Sequence, residues 1–123
     1  MRYPYGIRPV GQLTYDGAGR MSSQMMNPER KPVGGPPSSG GGAAFRAASA
    51  DDMREVLSGF MSYFGTFDIE EASRTVIHHL QACLIPSWVG ADLRRTYEFA
   101  GDDRLILTLS LEQSVNRVVW QRE

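Results

Sequence analysis

Residues 74–84 read RTVIHHLQACL, a run in which apolar and polar positions largely alternate. Alternation with a period of two is typical of a β-strand. The pattern returns in three further segments, which are 92–99 (DLRRTYEF), 104–110 (RLILTLS) and 115–122 (VNRVVWQR), joined by turns at 100–103 and 111–114. Because no helical period separates these segments, they predict an antiparallel meander rather than a parallel sheet.

Three more strands are predicted upstream. Residues 11–15 (GQLTY) and 20–26 (RMSSQMM) flank the turn 16–19 (DGAG), and this arrangement is typical of a hairpin. Residues 64–69 form a short strand that ends at a turn over 70–73. Seven closely spaced strands predict a mostly β fold, an antiparallel meander barrel, because closure of the sheet removes its exposed edges.

One helix is predicted between the hairpin and the later strands. Ser49 can cap it, with Asp52 three residues on, in a variant of the capping box. Apolar residues then recur with a helical period at Met53, Val56, Leu57, Phe60 and Met61. We therefore expect one inserted helix that includes Met61 and is followed by Gly65.

The segment 28–48 is rich in proline, glycine and serine. Such a segment buries too little apolar surface to offset the entropy lost on ordering, so we expect a flexible loop there. A length of 123 residues fits one domain. We expect residues 1–123 to form a single barrel domain that carries this loop.

The alternation also predicts which side chains face the barrel interior. On the first long strand the more apolar face carries Val76, His78, Leu80, Ala82 and Leu84, which places His78 inside and His79 outside. On the next strand the interior set is Leu93, Arg95, Tyr97 and Phe99. In the last strand we expect Val118 and Trp120 to face inward.

Buried histidine and arginine side chains are the informative ones in such a barrel. An isolated charge in an apolar interior is costly, so Arg95 requires a partner, an anionic ligand or a wet opening. Cross-strand neighbours on one face are close enough for His78, Arg95 and Tyr97 to share a ligand, with Trp120 completing the pocket. The alternative is that His78 and Arg95 make structural hydrogen bonds only. No metal site is expected, because His78 and His79 face opposite sides of one strand and zinc requires three or four ligands.

Composition limits the partners and the compartment. The formal net charge of −1 gives no long-range attraction for nucleic acid or for an anionic membrane. No apolar run approaches the roughly 18 residues that span a bilayer, and the first residues lack the apolar core of a signal peptide. Cys83 is the only cysteine, so an intrachain disulfide is excluded and a reducing compartment is the default. We expect a cytoplasmic protein without a cofactor.

Several short segments are shared with one family: 3–6 (YPYG), 11–15 (GQLTY), 19–22 (GRMS), 63–67 (YFGTF), 75–79 (TVIHH), 86–90 (PSWVG) and 118–122 (VVWQR), with Pro9 and Arg95. In these segments the chain resembles the lipocalin-like domain family of bacteria and fungi. The resemblance implies an antiparallel barrel with an interior cavity. Family members usually begin with a strand that carries a Gly-x-Trp motif, which this sequence lacks. An edge left uncovered invites pairing with another chain, so we expect a homo-oligomer.

Three functions follow from this pattern. The first is non-covalent binding of a small apolar or amphipathic molecule in the barrel, with His78, Arg95, Tyr97 and Trp120 lining the pocket. The second is a cofactor-free isomerase, cyclase or lyase of secondary metabolism, in which His78 acts as general acid or base and Arg95 stabilises an enolate or carboxylate. The third is a structural or oligomerising module without a ligand. An unpaired His78 in an open pocket favours the enzyme, an apolar pocket favours binding, and the absence of a pocket favours the third.

Overall fold

The computed structural model describes residues 5–110 and 114–123. Its seven antiparallel strands form a nearly closed barrel, so the predicted mostly β fold is confirmed. Each strand pairs with the next along the chain, in the order of a meander. The strands are β1 (Val10–Tyr15), β2 (Arg20–Met26), β3 (Phe60–Glu70), β4 (Thr75–Cys83), β5 (Asp92–Ala100), β6 (Arg104–Ser110) and β7 (Val115–Gln121). The turn predicted at 111–114 and the segment 3–6 lie partly outside the described residues.

Two compact units divide the chain. The first takes in the residues up to Gly11 together with Gln24–Ser62. The second takes in Gln12–Ser23 and Tyr63–Glu123, and it contains all four residues predicted to line a site. The core of the second unit includes the apolar side chains of Met21, Tyr63, Val76, Ile77, Leu80 and Leu107.

The helices lie in the first unit. Helix α1 spans Gly41–Arg46 and follows a 3₁₀ turn at Pro37–Ser39, so part of the glycine-rich segment has regular structure; its flexibility stays a prediction. Helix α2 spans Ala50–Ser58, and the Ser49 hydroxyl accepts a hydrogen bond from the Asp52 amide at 3.1 Å, as the capping box predicts. In the described part of the chain no helix is long and apolar enough to cross a membrane.

The C-terminal end of α2 differs from the prediction. The helix ends at Ser58, and Phe60 already belongs to β3, so the expectation that the helix includes Phe60 and Met61 is wrong. The Gly59 amide donates to the Glu55 carbonyl, while the Gly59 carbonyl accepts a hydrogen bond from the Asn27 amide at 2.8 Å. The Gly59 amide thus closes the last turn of α2, while the Gly59 carbonyl already pairs with Asn27, and the chain becomes extended from Phe60.

Gly65 lies where β3 comes too close to β4 for a side chain. A Cβ atom at Gly65 would collide with the carbonyl oxygen of His79. The strand register shifts at the same point, because Phe64 pairs with Ala82 whereas Gly65 pairs with Leu80. The residue between Leu80 and Ala82 is therefore an extra one on β4, which is a β-bulge.

The bulge at Gln81 changes which residues of β4 face inward. Directly opposed residues of an antiparallel pair face the same side of the sheet. Cys83 lies opposite the buried Tyr63, so Cys83 takes the inward position beyond the bulge. The predicted interior face is thus wrong for Ala82, because a strict period of two does not survive an inserted residue.

Strand β5 extends beyond the end of β4. Pairing between the two strands stops at Thr75 and Thr96, and the last backbone contact is the Tyr97 amide donating to the Arg74 carbonyl at 2.8 Å. Residues 98–100 are paired on the β6 side only. Phe99 was expected inside, but it is 70% exposed because β4 ends before it could cover this position.

We predict that Gly65→Ala destabilises the protein by about 3 kcal/mol, because a methyl group forced against the His79 carbonyl must separate β3 from β4. Urea unfolding followed by circular dichroism measures the change. Gly17→Ala is the matched control, since no described residue other than its chain neighbours lies within 4 Å of a Cβ at Gly17. Equal stability of the two variants would contradict this account of the bulge.

Candidate functional site

His78 is the most deeply buried polar side chain among the described residues, with no exposed surface. It lies on β4 between Val76 and Leu80, which are also buried, so the predicted inward orientation is confirmed. A buried imidazole without water needs a protein partner for each ring nitrogen, because an unsatisfied polar group costs about 1–3 kcal/mol. The partners of His78 therefore define the site.

Two tyrosines supply these partners. The Tyr15 hydroxyl lies 2.5 Å from His78 Nε2, and the Tyr63 hydroxyl lies 3.0 Å from His78 Nδ1. The rings pack as well, with centroid distances to the His78 ring of 5.6 Å for Tyr15 and 5.7 Å for Tyr63. Phe67 meets the Tyr15 ring edge to face at 4.8 Å. We call Tyr15, His78 and Tyr63 the Tyr–His–Tyr relay.

The relay has a definite hydrogen-bonding logic. Burial, with smaller contributions from the charges of Arg95 and His79, lowers the pKa of His78 from 6.5 to about 4. The imidazole is therefore neutral at pH 7, with one nitrogen that donates and one that accepts. One tyrosine donates its O–H to His78, and the other accepts the His78 N–H. The accepting tyrosine keeps its own O–H for another acceptor.

Arg95 lies beside the relay. It pairs with Val76 across the β4–β5 ladder, while His78 pairs with Leu93, so Arg95 and His78 are diagonal neighbours on one face. Its side chain is half-buried and donates to the Arg94 carbonyl at 3.0 Å. Within residues 5–110 and 114–123, no carboxylate forms an ion pair with Arg95.

The charge of Arg95 acts on the neighbouring groups. Burial is the largest cause that lowers the pKa of Arg95, and Tyr63 and Tyr15 oppose that shift. Burial and Tyr63 raise the pKa of Tyr15 above 10.0, against a lowering by Arg95. The phenol of Tyr15 therefore stays protonated at neutral pH, and the site presents a hydrogen-bond donor next to a cation.

Tyr97 and Trp120 lie further along the sheet. Tyr97 is half-buried opposite Leu107, and its ring centroid lies 5.9 Å from that of Phe99. Trp120 is half-buried on β7 opposite Leu105. The structure thus brings His78 and Arg95 together, whereas Tyr97 and Trp120 lie closer to the β5–β6 hairpin. Their role in binding stays a prediction.

Sequence reasoning missed the two tyrosines. Tyr15 ends the alternating GQLTY strand, and Tyr63 begins the shared YFGTF segment, so both had a signal. Tyr63 lies two residues after Met61, the last residue with helical spacing, so the predicted strand begins only at residue 64. The alternation of apolar and polar residues predicts the face of the sheet on which a side chain lies. It does not predict which side chain of another strand forms a hydrogen bond with it.

His79 occupies the opposite face of β4 and bridges three strands. Its Nε2 atom lies 2.7 Å from Asp68 on β3, and its Nδ1 atom lies 2.6 Å from Asp92 on β5. Hydrogen bonds to Asp92 and then to Asp68 raise the pKa of His79. Both ring nitrogens can donate to the two carboxylates only when the imidazole is protonated, so this cluster favours the charged form.

A cavity of about 270 Å³ lies in the same unit, on strands β1 to β3. Its lining includes Thr14, Met21 and Phe64, and neither His78 nor Arg95 belongs to it. Because His78 has no exposed surface, a ligand would reach the relay through the half-buried side chains of Tyr15 and Arg95.

The sequence model of a family described as lipocalin-like domain matches residues 1–122. No curated protein matches the chain. The match spans all seven strands and the whole candidate site, so the resemblance drawn from short segments is confirmed.

Acid should destabilise the fold through His78. Its pKa is about 4 in the folded protein and 6.5 in the unfolded chain, so the unfolded state binds the proton more strongly. We predict a loss of about 3 kcal/mol as the pH falls from about 6.5 to 4. His78→Gln keeps a donor and an acceptor without titrating, so its free energy of unfolding should lack this component. Parallel pH profiles of the two proteins would refute the assignment.

His79 should give the opposite pH dependence. Its raised pKa means that its contribution to stability is complete below about pH 6.5 and is lost as the pH rises through the folded-state pKa. We predict that His79→Gln flattens this alkaline decline and leaves the acid limb attributed to His78 unchanged. Chemical unfolding at a series of pH values measures both limbs. A decline that persists in His79→Gln would contradict the prediction.

Proposed function

This chain belongs to the lipocalin-like domain family, and from that premise we propose that it binds a small amphipathic molecule whose polar head group is held at Arg95. The observation that carries the proposal is a half-buried guanidinium without a carboxylate partner among the described residues, close to the hydroxyls of Tyr15 and Tyr63. Charged hydrogen bonds inside a protein contribute about 1.5–3 kcal/mol each. A ligand that supplied the missing acceptor would gain that amount.

The head group is best matched by a carboxylate or a carbonyl oxygen. Arg95 keeps its charge and offers N–H donors in a planar fork, which suits two oxygens of one carboxylate. Tyr15 is the relay phenol with the greater exposure, so it can turn its O–H toward the same ligand. In that state His78 Nε2 donates to Tyr15, and Tyr63 donates to His78 Nδ1. His78 is then a positioning residue that fixes the orientation of Tyr15.

Catalysis is the second candidate, and one observation favours it. The relay is a continuous chain of exchangeable protons from Tyr15 through His78 to Tyr63, as a cofactor-free isomerase, cyclase or lyase would need. Two properties count against it. A pKa of about 4 makes His78 a weak base at neutral pH, and both of its nitrogens already have partners.

Deuterium exchange separates the two candidates. The probe is 2-tetralone, an enolisable ketone, whose loss of α-protons in D₂O is followed by NMR. Binding without catalysis predicts the same exchange rate with the wild-type protein and with His78→Phe. Faster exchange with the wild-type protein than with His78→Phe would support the enzyme instead.

Replacement of Arg95 tests the binding proposal. Arg95→Met keeps most of the side-chain volume and removes the charge, so we predict that it weakens binding of 2-naphthoate about 10-fold to 100-fold. Its stability should change little or rise, because a partly buried charge has been removed. Isothermal titration calorimetry gives the affinity, and thermal unfolding gives the stability.

The control is Arg94→Met, one residue away on the opposite face, where the side chain contacts Glu70 at 3.3 Å. Arg94→Met should bind 2-naphthoate as the wild-type protein does. A stability loss in Arg95→Met without a change in affinity would establish a purely structural role and sink the proposal.

A further inference from the structure

Three side chains form a continuous row across β5, β6 and β7. Phe99 pairs with Leu105, and Leu105 pairs with Trp120. Directly opposed residues share a face, so the row lies on one side of the sheet. The adjacent row on that side is Tyr97, Leu107 and Val118, and it includes the buried Leu107.

The row of Phe99, Leu105 and Trp120 lies on the face of the sheet on which Leu107 is buried, yet its own side chains are partly accessible to solvent. Phe99 is 70% exposed, and β4 ends at Thr75, three residues short of the position that would lie opposite Phe99. Leu105 and Trp120 are half-buried. A large apolar side chain in this position is normally covered, and contiguous exposed apolar surface commonly marks a binding site.

The same face carries the cation. Arg95, Tyr97 and Phe99 alternate along β5, so all three project to one side. Phe99 lies four positions along the strand from Arg95, a distance of about 13 Å. Arg95, Tyr97 and Phe99 therefore form a strip along β5. One end of the strip is a guanidinium that has no carboxylate partner among the described residues, and the other end is an exposed aromatic ring.

We propose that Tyr97, Phe99, Leu105 and Trp120 seat the flat apolar body of an aromatic carboxylate whose anionic group reaches Arg95. This inference rests on the proposed function and names the class of its ligand. The spacing suits a carboxylate on two or three fused rings. A flat body matches the site better than a flexible chain, because Tyr97, Phe99 and Trp120 offer ring faces and edges that interact favourably with another ring.

The experiment compares two carboxylates that differ in the apolar body. Binding of 2-naphthoate and octanoate is measured by calorimetry for the wild-type protein, Phe99→Leu, Phe99→Ala and Arg95→Met. Phe99→Leu keeps an apolar side chain and removes the ring. We expect it to weaken 2-naphthoate about 3-fold to 10-fold and to leave octanoate within about 2-fold. Arg95→Met should weaken both.

Val119→Ala is the matched control, since Val119 is 56% exposed and lies next to Trp120 on the other face of β7. It should leave both affinities unchanged. If Arg95→Met weakens the binding of 2-naphthoate but Phe99→Ala leaves it unchanged, as Val119→Ala should, the proposed contact of the apolar body with Phe99 and its neighbours is wrong and the proposed function stands. If the wild-type protein binds neither carboxylate, both fall.

Sedimentation velocity on the same variants tests a competing occupant. If Phe99→Ala shifts the protein from a dimer to a monomer and leaves 2-naphthoate binding unchanged, the row is an interface between two copies of the chain. That result would overturn the inference. An unchanged sedimentation coefficient together with weaker 2-naphthoate binding supports it.

Discussion

A neutral imidazole that has no exposed surface must find one donor and one acceptor inside the protein, and His78 imposes this requirement on the barrel. Tyr15, at the end of β1, forms a hydrogen bond with one ring nitrogen, and Tyr63, on β3, forms a hydrogen bond with the other. The relay thereby joins three strands through side chains in addition to their backbone pairing. It also depends on Gly65, which lets β3 come close to β4 two residues from Tyr63.

His78 and His79 show how strongly a strand separates two environments. They are adjacent in sequence, and the period of two places them on opposite faces. His78 is fully buried and lies near Arg95, and burial is the main cause that lowers its pKa to about 4. His79 lies between two carboxylates, and its pKa rises. The pKa values of the two imidazoles therefore move in opposite directions, because burial disfavours the charged form of His78 whereas two carboxylates favour the charged form of His79.

Much of the fold could be predicted from the sequence, because alternation and turn residues are local signals. The segment 104–110 was predicted with its observed bounds, and Ser49 was identified as the helix cap. The errors occur where a tertiary contact overrides a local period. Phe60 and Met61 continue the helical spacing, but Gly59 turns the chain into β3.

The candidate site was only half predictable for the same reason. His78 and Arg95 were found because a polar residue on an apolar face stands out. The bulge at Gln81 depends on the missing side chain of Gly65 on another strand. The partners of His78 come from strands far away in sequence, and a facing pattern carries no information about them.

The relay and Arg95 together favour a site that selects a ligand by its hydrogen-bonding character. A neutral His78 has two tautomers, and each one reverses the direction of both phenol hydrogen bonds. A ligand that accepts a hydrogen bond from Tyr15 stabilises the tautomer in which Nε2 carries the proton. A ligand that donates to Tyr15 stabilises the other tautomer, but it gains nothing from the cationic Arg95 nearby. The combination therefore discriminates in favour of acceptors such as carboxylates and against donors such as amines, and the low pKa of His78 keeps this preference unchanged across the neutral range.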